Sequence, residues 1–113
     1  MELALIVAVI RTDKLGPTEK ALSGIGVRGI TVIRARGFGD QSLHEDILGH
    51  ALMNDQAKIE IYATREQSER IAITIIEAAH TGSQGDGIVA ILPVDRVFSV
   101  RTCSAAIPNC VRA

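Results

Sequence analysis

Hydrophobic and polar positions along the chain predict strands and helices in alternation. Residues 3–10 are apolar without interruption, which is typical of a central strand that is covered on both faces. A polar connection, residues 11–14, follows this strand. The pattern then predicts a helix that begins near Leu15 or Gly16, has Pro17 in its first turn and ends at Gly24 or Gly26.

The middle of the chain predicts two further strands around an irregular polar stretch. Residues 29–36 form the second strand, and the glycines of residues 37–39 end it. Residues 40–55 lack a clear period, and loops of this length are usually functional or mobile. Residues 58–63 alternate between apolar and polar side chains, which predicts a third strand with one buried face.

A second helix and two short strands complete the pattern. Residues 64–67 have the spacing of a capping box, and a helical apolar stripe runs to His80 through Ile71, Ala72, Ile75 and Ala79. Residues 88–92 predict a fourth strand that Pro93 stops, and residues 97–101 a short fifth one.

The order of elements is βαβ written twice. It predicts an α+β, ferredoxin-like βαββαβ domain with a short extra strand near its C-terminal end. The helices cover one sheet face, and the other face carries Val, Ile and Ala rather than charge. Because water does not suit such a face, we expect a homo-oligomer that buries it.

Composition narrows the functional classes. The 113 residues form one domain with 47% apolar residues and a net charge of −1. This charge provides no basic field for nucleic acid, and three aromatic residues are too few for a base-stacking platform. The longest apolar run, at eight residues, is too short to span a membrane, so we expect a cytoplasmic protein.

One glycine-rich stretch stands between the second helix and the fourth strand. Residues 81–87 read Thr-Gly-Ser-Gln-Gly-Asp-Gly. Glycines allow the backbone to turn with positive φ, and successive N–H groups in such a turn form a concavity that suits an anion such as phosphate. By spacing alone, an ordinary helix-to-strand connection is favoured over a ligand-binding loop.

At this point the chain resembles the PII nitrogen-regulatory signal proteins over residues 5–102. The resemblance lies in five segments that occur in the family's order, namely residues 26–32, 36–41, 58–61, 81–87 and 100–102. It implies a homotrimer of ferredoxin-like subunits over residues 1–102, with residues 103–113 as a tail. It further implies that the protein is a sensor rather than an enzyme, and that it regulates a partner protein, commonly a membrane transporter.

The resemblance also assigns a binding site for an adenine nucleotide in each cleft between subunits. The family's T-loop corresponds to residues 38–56 and its B-loop to residues 81–88. The residues implied in nucleotide binding are Val9, Gly29, Thr31, Gly37, Phe38, Gly39, Gln41, Glu60, Ile61, Tyr62, Thr81, Gly85, Asp86, Gly87, Ile88 and Arg101. The resemblance places the adenine near six of them, namely Val9, Gly29, Thr31, Glu60, Ile61 and Tyr62.

Departures from the family pattern remove positive charges that, in the family, hold the outer phosphates of the nucleotide. Ile88 stands where the family usually has a lysine, Ser99 stands where it has an arginine, and Asp40 stands where a basic residue is common. We therefore expect ADP or AMP to bind in preference to ATP, with cyclic AMP as an alternative. The T-loop is about four residues shorter and lacks the family's uridylylated tyrosine. A classical PII protein that senses ATP and 2-oxoglutarate is therefore the alternative rather than the main prediction.

PII-like proteins linked to inorganic carbon, near carboxysome or bicarbonate-transporter genes, share some of these departures. This resemblance suggests bicarbonate as an effector, with Arg36, His44 and His50 as candidate anion contacts. Exposed loop residues are the plainer interpretation of the histidines, and no metal site is predicted. The tail cysteines, Cys103 and Cys110, resemble a pair that some of these proteins carry, and either a disulfide or two reduced thiols fit the sequence.

Two other classes remain open. A small enzyme of the acylphosphatase type would share the fold, and it needs an early phosphate-binding loop with an arginine and an asparagine that positions water. Arg11 lies in the right region but no glycine-rich cradle accompanies it, and Asn54 falls in the irregular stretch. An interaction module without any ligand would need the glycine stretches to be simple turns.

Overall fold

The computed structural model describes residues 2–37 and 54–106. The first strand, β1, spans Leu3–Arg11, and a single 3₁₀ turn, Thr12–Lys14, leads into the first helix, α1, at Leu15–Gly24. Strands β2 and β3 span Thr31–Gly37 and Asn54–Thr64. The second helix, α2, spans Arg65–Ala79, β4 spans Gly87–Val94, and two short strands, β5 and β6, span Phe98–Ser99 and Ser104–Ala105.

The sheet has the strand order β2-β3-β1-β4, and every neighbouring pair is antiparallel. With both helices packed on one face, this is the predicted ferredoxin-like arrangement. Strand β1 lies at the centre, as its uninterrupted apolar sequence predicts. The two outer strands, β2 and β4, each leave one edge unpaired within the described sheet.

The core lies between the sheet and the helices. On β1, alternate residues from Ala4 to Ile10 are buried, and they face the equally buried alternate positions of β3. The predicted stripe of α2 covers them, since Ile71, Ala72, Ile75 and Ala79 are all buried. The period-3.6 pattern of this helix therefore identified its packing face correctly.

The opposite, uncovered sheet face is called the open face below. Leu5, Val7 and Val9 of β1 lie on it half-buried, and Tyr62 of β3 is 44% exposed there. The expectation that this face carries no charge is wrong in part. Lys58 Nζ lies 3.6 Å from Glu60 Oε2, and because these β3 residues stand opposite Val9 and Val7 they share their face.

Several predicted boundaries are wrong. Strand β2 begins at Thr31 rather than Gly29, and β3 begins four residues before Lys58 because Asn54 pairs with Gly37 and Asp55 with Arg36. The remaining irregular stretch, residues 40–53, lies outside the described residues.

Pro93 does not stop β4 but lies inside it, opposite Ala4. Proline is tolerated there because β4 is an edge strand, whose outward side needs no ladder hydrogen bond. The predicted fifth strand is shorter than expected and forms a hairpin with β6, a strand that the pattern did not reveal.

The ends of the helices follow from local chemistry. Gly26 adopts φ 93° just after α1, and Val27 N donates to Leu22 O at 3.0 Å, which closes the helix with a glycine-based C-cap. Thr64 is the N-cap of α2 as predicted. Its hydroxyl, however, meets Gln67 Oε1 at 3.0 Å and makes no capping bond to the helix backbone. In the described parts of the chain, no helix is long and apolar enough to cross a membrane.

Candidate functional site

The carboxylate of Asp86 is the centre of the glycine-rich loop, residues 81–88, which is called the B-loop below. Its Oδ2 accepts hydrogen bonds from the backbone N–H groups of Thr81, at 2.8 Å, and Gly82, at 2.9 Å. Its Oδ1 accepts the hydroxyl proton of Thr81 in a short hydrogen bond and lies 3.0 Å from Arg11 Nε. Asp86 thereby joins the start of the B-loop to its end.

These donors stabilise the ionised form of Asp86. The hydroxyl and backbone N–H of Thr81, the guanidinium of Arg11 and the N–H of Gly82 together hold the pKa of this carboxyl well below its ordinary value, although partial burial opposes them. The carboxylate oxygens are occupied within the protein. The B-loop therefore offers a ligand its backbone rather than the acidic side chain of Asp86.

Arg11 is the residue that the sequence analysis missed at this site. It is the last residue of β1, and besides Asp86 it reaches the carbonyl oxygen of Gln84, 2.6 Å from its Nη2. The sequence contained the signal only as an isolated arginine after an apolar strand. Because 73 and 75 positions separate the partners, local spacing could not reveal the contact.

Three glycines give the B-loop its shape. Gly82, Gly85 and Gly87 adopt φ values of 87°, 94° and 105°, a region that residues with a side chain rarely enter. Gly87 also lies opposite Ile10, and a Cβ atom there would overlap the carbonyl oxygen of Val9. Positive φ at these positions is the backbone form that creates anion-binding concavities.

Most residues of the predicted adenine set lie on or beside the open face. Thr31 pairs with Glu60 across β2 and β3, Tyr62 follows on the same face, and Ile88 lies opposite Val9 with 68% of its surface exposed. Gly29 is exposed before β2 begins. Ile61 differs, because its side chain is fully buried on the helix side, so only its backbone is open to a ligand.

The two predicted glycine bends lie at the same end of the sheet but on opposite edges. Gly37 ends β2, and the B-loop enters β4. With β3 and β1 between them, the bends are separated by three strand spacings, about 14 Å. Gln56, opposite both Ala35 and Arg11, occupies the space beside Gly37. The remaining predicted residues of this end, namely Phe38, Gly39, Gln41, His44 and His50, lie outside the described residues.

The C-terminal hairpin carries the last predicted residues. Arg101 is exposed in the turn between β5 and β6, and no ion pair joins it to another residue of the described chain. Cys103 in the same turn is exposed, adopts φ 56° and places its Sγ 3.6 Å from Val100 O. Cys110 lies outside the described residues, so the disulfide stays a prediction. Among residues 2–37 and 54–106, no group of three or more metal-ligating side chains is found.

An apolar groove, which the sequence analysis did not anticipate, lies on the helix side of the B-loop. It has a volume of about 230 Å³ and is lined mainly by the end of α2 and the start of β4, through Ile75, Ile76, Ala79, His80, Ile88 and Val89. Ile88 also belongs to the predicted nucleotide-binding set, so the groove adjoins that part of the candidate site.

Comparison with known proteins agrees with this architecture. The family model described as "Nitrogen regulatory protein P-II" matches residues 3–104. A nitrogen regulatory protein P-II of Pasteurella multocida is 39% identical over 101 residues, which cover 86% of this chain and 90% of the relative. The nitrogen regulatory protein GlnK of Escherichia coli is 31% identical over 105 residues, covering 89% and 94%.

A solved structure gives the same result at the level of the fold. The crystal structure of Arabidopsis thaliana PII bound to citrate superimposes with a TM-score of 0.78 and 34% identity, and the match covers 93% of this chain and 89% of that one. The segment that the family model matches, residues 3–104, includes the B-loop, the β2–β3 region and the hairpin turn that carries Arg101. The chain therefore belongs to the nitrogen regulatory protein P-II family.

Proposed function

We propose that this protein is a PII-type signal-transduction protein that binds an adenine nucleotide between the subunits of a homotrimer. It has no catalytic activity of its own, and it regulates a partner protein, a membrane transporter, through the T-loop, residues 38–56. The observation that supports this proposal most strongly is the B-loop itself. It has the backbone form of an anion site, in a chain that matches a family of regulatory proteins along nearly its whole length.

The placement of the predicted site residues supports a cleft between subunits. The glycine bends lie on opposite edges of one sheet, and the adenine contacts lie on a half-exposed apolar face. A neighbouring copy that covers the open face would bring its own sheet edge against these residues. Arg101, exposed and without an ion pair among the described residues, is then available for a phosphate.

Nucleotide preference follows from the charges that surround the B-loop. Ile88 places an exposed apolar side chain directly after Gly87, at the position where the family usually carries a lysine. Losing a hydrogen bond to a charged group typically costs about 1.5–3 kcal/mol. We therefore propose that ADP and AMP bind in preference to ATP, with cyclic AMP as a further ligand to test.

Bicarbonate is the proposed effector, with Arg36, His44 and His50 as its contacts. Arg36 is the only one of these within the described residues. Its side chain is 69% exposed and its Nε lies 3.9 Å from Asp55 Oδ1, which is a weak surface pairing that leaves the guanidinium accessible to an anion.

The acylphosphatase alternative receives no support from the geometry. Such an enzyme would need the guanidinium of Arg11 to face a phosphate, but Arg11 is bound to Asp86 and to Gln84 O. Asn54 belongs to the start of β3.

Calorimetric titration of the full chain with ATP, ADP, AMP and cyclic AMP, each with and without bicarbonate or 2-oxoglutarate, tests the proposal. We expect ADP and AMP to bind more tightly than ATP. Ile88→Lys should raise the affinity for ATP more than that for AMP, and Ile88→Met, which adds no charge, should not. Absence of heat with every nucleotide would contradict the proposal, as would turnover of an acyl phosphate.

A further inference from the structure

Arg11 fastens the B-loop to the sheet. Its Nε meets Asp86 Oδ1 at 3.0 Å and its Nη2 meets Gln84 O at 2.6 Å, so one guanidinium joins β1 to the apex of the loop and to its end. The side chain is one-third exposed, with a relative accessibility of 32%, and that of Asp86 is 22%. The contact with Asp86 is therefore partly shielded from water, whereas the contact with Gln84 O is exposed.

The other side-chain hydrogen bonds of the B-loop are local. Asp86 accepts from the backbone of Thr81 and Gly82, and Ser83 N donates to Thr81 Oγ1 at 3.2 Å. Such bonds close the loop upon itself but do not determine how it is oriented on the sheet. Its glycines, at positions 82, 85 and 87, leave the backbone free to adopt other conformations.

We infer that Arg11 is a positioning residue of the anion site, which holds the B-loop in the orientation that presents its backbone N–H groups to a ligand. The identity of the ligand, an adenine nucleotide, rests on the proposed function. Arg11 itself acts through Asp86 and Gln84 rather than by touching the ligand. This role is independent of the missing lysine at position 88, which concerns a direct phosphate contact.

The shape of the guanidinium explains why an arginine is needed here. Its planar fork donates from Nε and Nη2 to two acceptors at once, whereas a lysine offers a single, flexible ammonium group. Lysine at position 11 should therefore keep the ion pair with Asp86 or the bond to Gln84 O, but not hold both with the same geometry. We therefore expect the orientation of the B-loop, and with it the affinity for the nucleotide, to weaken from arginine to lysine to glutamine at position 11.

Hydrogen exchange and calorimetry on the full-length protein test this inference together. We expect Arg11→Gln to accelerate amide exchange of residues 81–88 at least about tenfold in the ligand-free protein, with exchange in α2 unchanged. If the loop then occupies the competent orientation a tenth of the time, ADP binds about tenfold more weakly. In both measurements, Arg11→Lys should give values between those of the wild type and those of Arg11→Gln. Arg70→Gln, which removes the same charge from an exposed position of α2, should behave like the wild type.

Each contrary result has a distinct meaning. Unchanged exchange of residues 81–88 in Arg11→Gln would overturn the inference. A loss of affinity that grows from AMP to ADP without any change in exchange would also overturn it, because Arg11 would then be a phosphate contact. If the wild type binds no adenine nucleotide, the proposed function fails, while the ligand-free exchange still decides the role of Arg11. Should Arg11→Gln fail to fold, the same comparison is made with Arg11→Lys.

Discussion

At the scale of single residues, the B-loop depends on the carboxylate of Asp86 and on the lack of a side chain at Gly87. Asp86 gathers four donors from three residues, and Gly87 lets β4 approach Val9 more closely than any other residue would allow. Both features follow from the geometry of a chain that turns from α2 into an edge strand. Each of them can be tested by one substitution.

Gly87→Ala should destabilise the protein by more than about 2 kcal/mol, because its φ of 105° is strained for alanine and the new Cβ would overlap Val9 O. Gly16→Ala is the matched control, since nothing lies within 4 Å of a Cβ at that position. Urea denaturation measures both free energies of unfolding. Equal effects of the two substitutions would contradict the close approach of β1 and β4.

Asp86 should make a pH-dependent contribution to stability. Because its pKa is lowered in the folded protein, its stabilising effect is complete above the unfolded value of about 3.9 and is lost as the pH falls below it. The difference in the free energy of unfolding between wild type and Asp86→Asn should thus shrink between about pH 5 and pH 2. A difference that stays the same down to the lowest pH would show that the carboxylate is not held ionised by its donors.

Thr18 is a polar residue on the buried side of α1. It is completely buried, and its hydroxyl has no hydrogen-bond partner in the described structure. Thr18→Val keeps the shape and removes this unsatisfied group, so we expect it to stabilise the protein by about 1 kcal/mol. Thr74→Val is the control, because Thr74 Oγ1 already donates to Arg70 O at 2.8 Å. Destabilisation by Thr18→Val, measured by chemical denaturation, would show that the hydroxyl is satisfied in solution.

At the scale of elements, periodicity predicted β3 and α2 well because each of them has one face in the core. The apolar stripe of α2 and the alternation of β3 both record burial directly. The ends of elements were harder to predict. Strand β3 starts earlier than predicted because its first residues pair with β2. Strand β4 tolerates Pro93 because it lies at an edge of the sheet. Both effects depend on how the strands pair, which the local sequence does not show.

The candidate site likewise has features that the local sequence predicted and features that it could not predict. The glycines at positions 82, 85 and 87 identified the B-loop because positive φ requires them. The contact from Arg11 could not be predicted, because it depends on the antiparallel pairing of β1 with β4. The buried side chain of Ile61 likewise follows from the face that its strand presents to the helices.

Helix α2 allows a direct comparison of its two faces. Ile75 is fully buried against the sheet, whereas Ile73 is 48% exposed. Ile75→Ala should lower the free energy of unfolding by about 2–5 kcal/mol, because it removes packed atoms and leaves a cavity. Ile73→Ala should cost about 1 kcal/mol or less. Similar losses for both, in guanidinium denaturation, would contradict the orientation of the helix.

At the scale of the whole molecule, the proposed function depends on a neighbouring copy that covers the open face. Leu5, Val7 and Val9 form its central apolar strip, next to the more exposed Tyr62 and Ile88. Covering this strip with a neighbouring copy would remove apolar surface from water and would enclose the Lys58–Glu60 pair beside the predicted adenine contacts. Assembly and nucleotide binding are therefore expected to depend on each other.

Native mass spectrometry of the full chain, with and without ADP, tests this account most directly. We predict a trimer that takes up as many as one ADP for each subunit, and no ADP on any monomer that is present. A monomer that binds ADP by itself, or a trimer that binds none at concentrations that saturate other adenylate sites, would contradict a nucleotide site built between neighbouring copies.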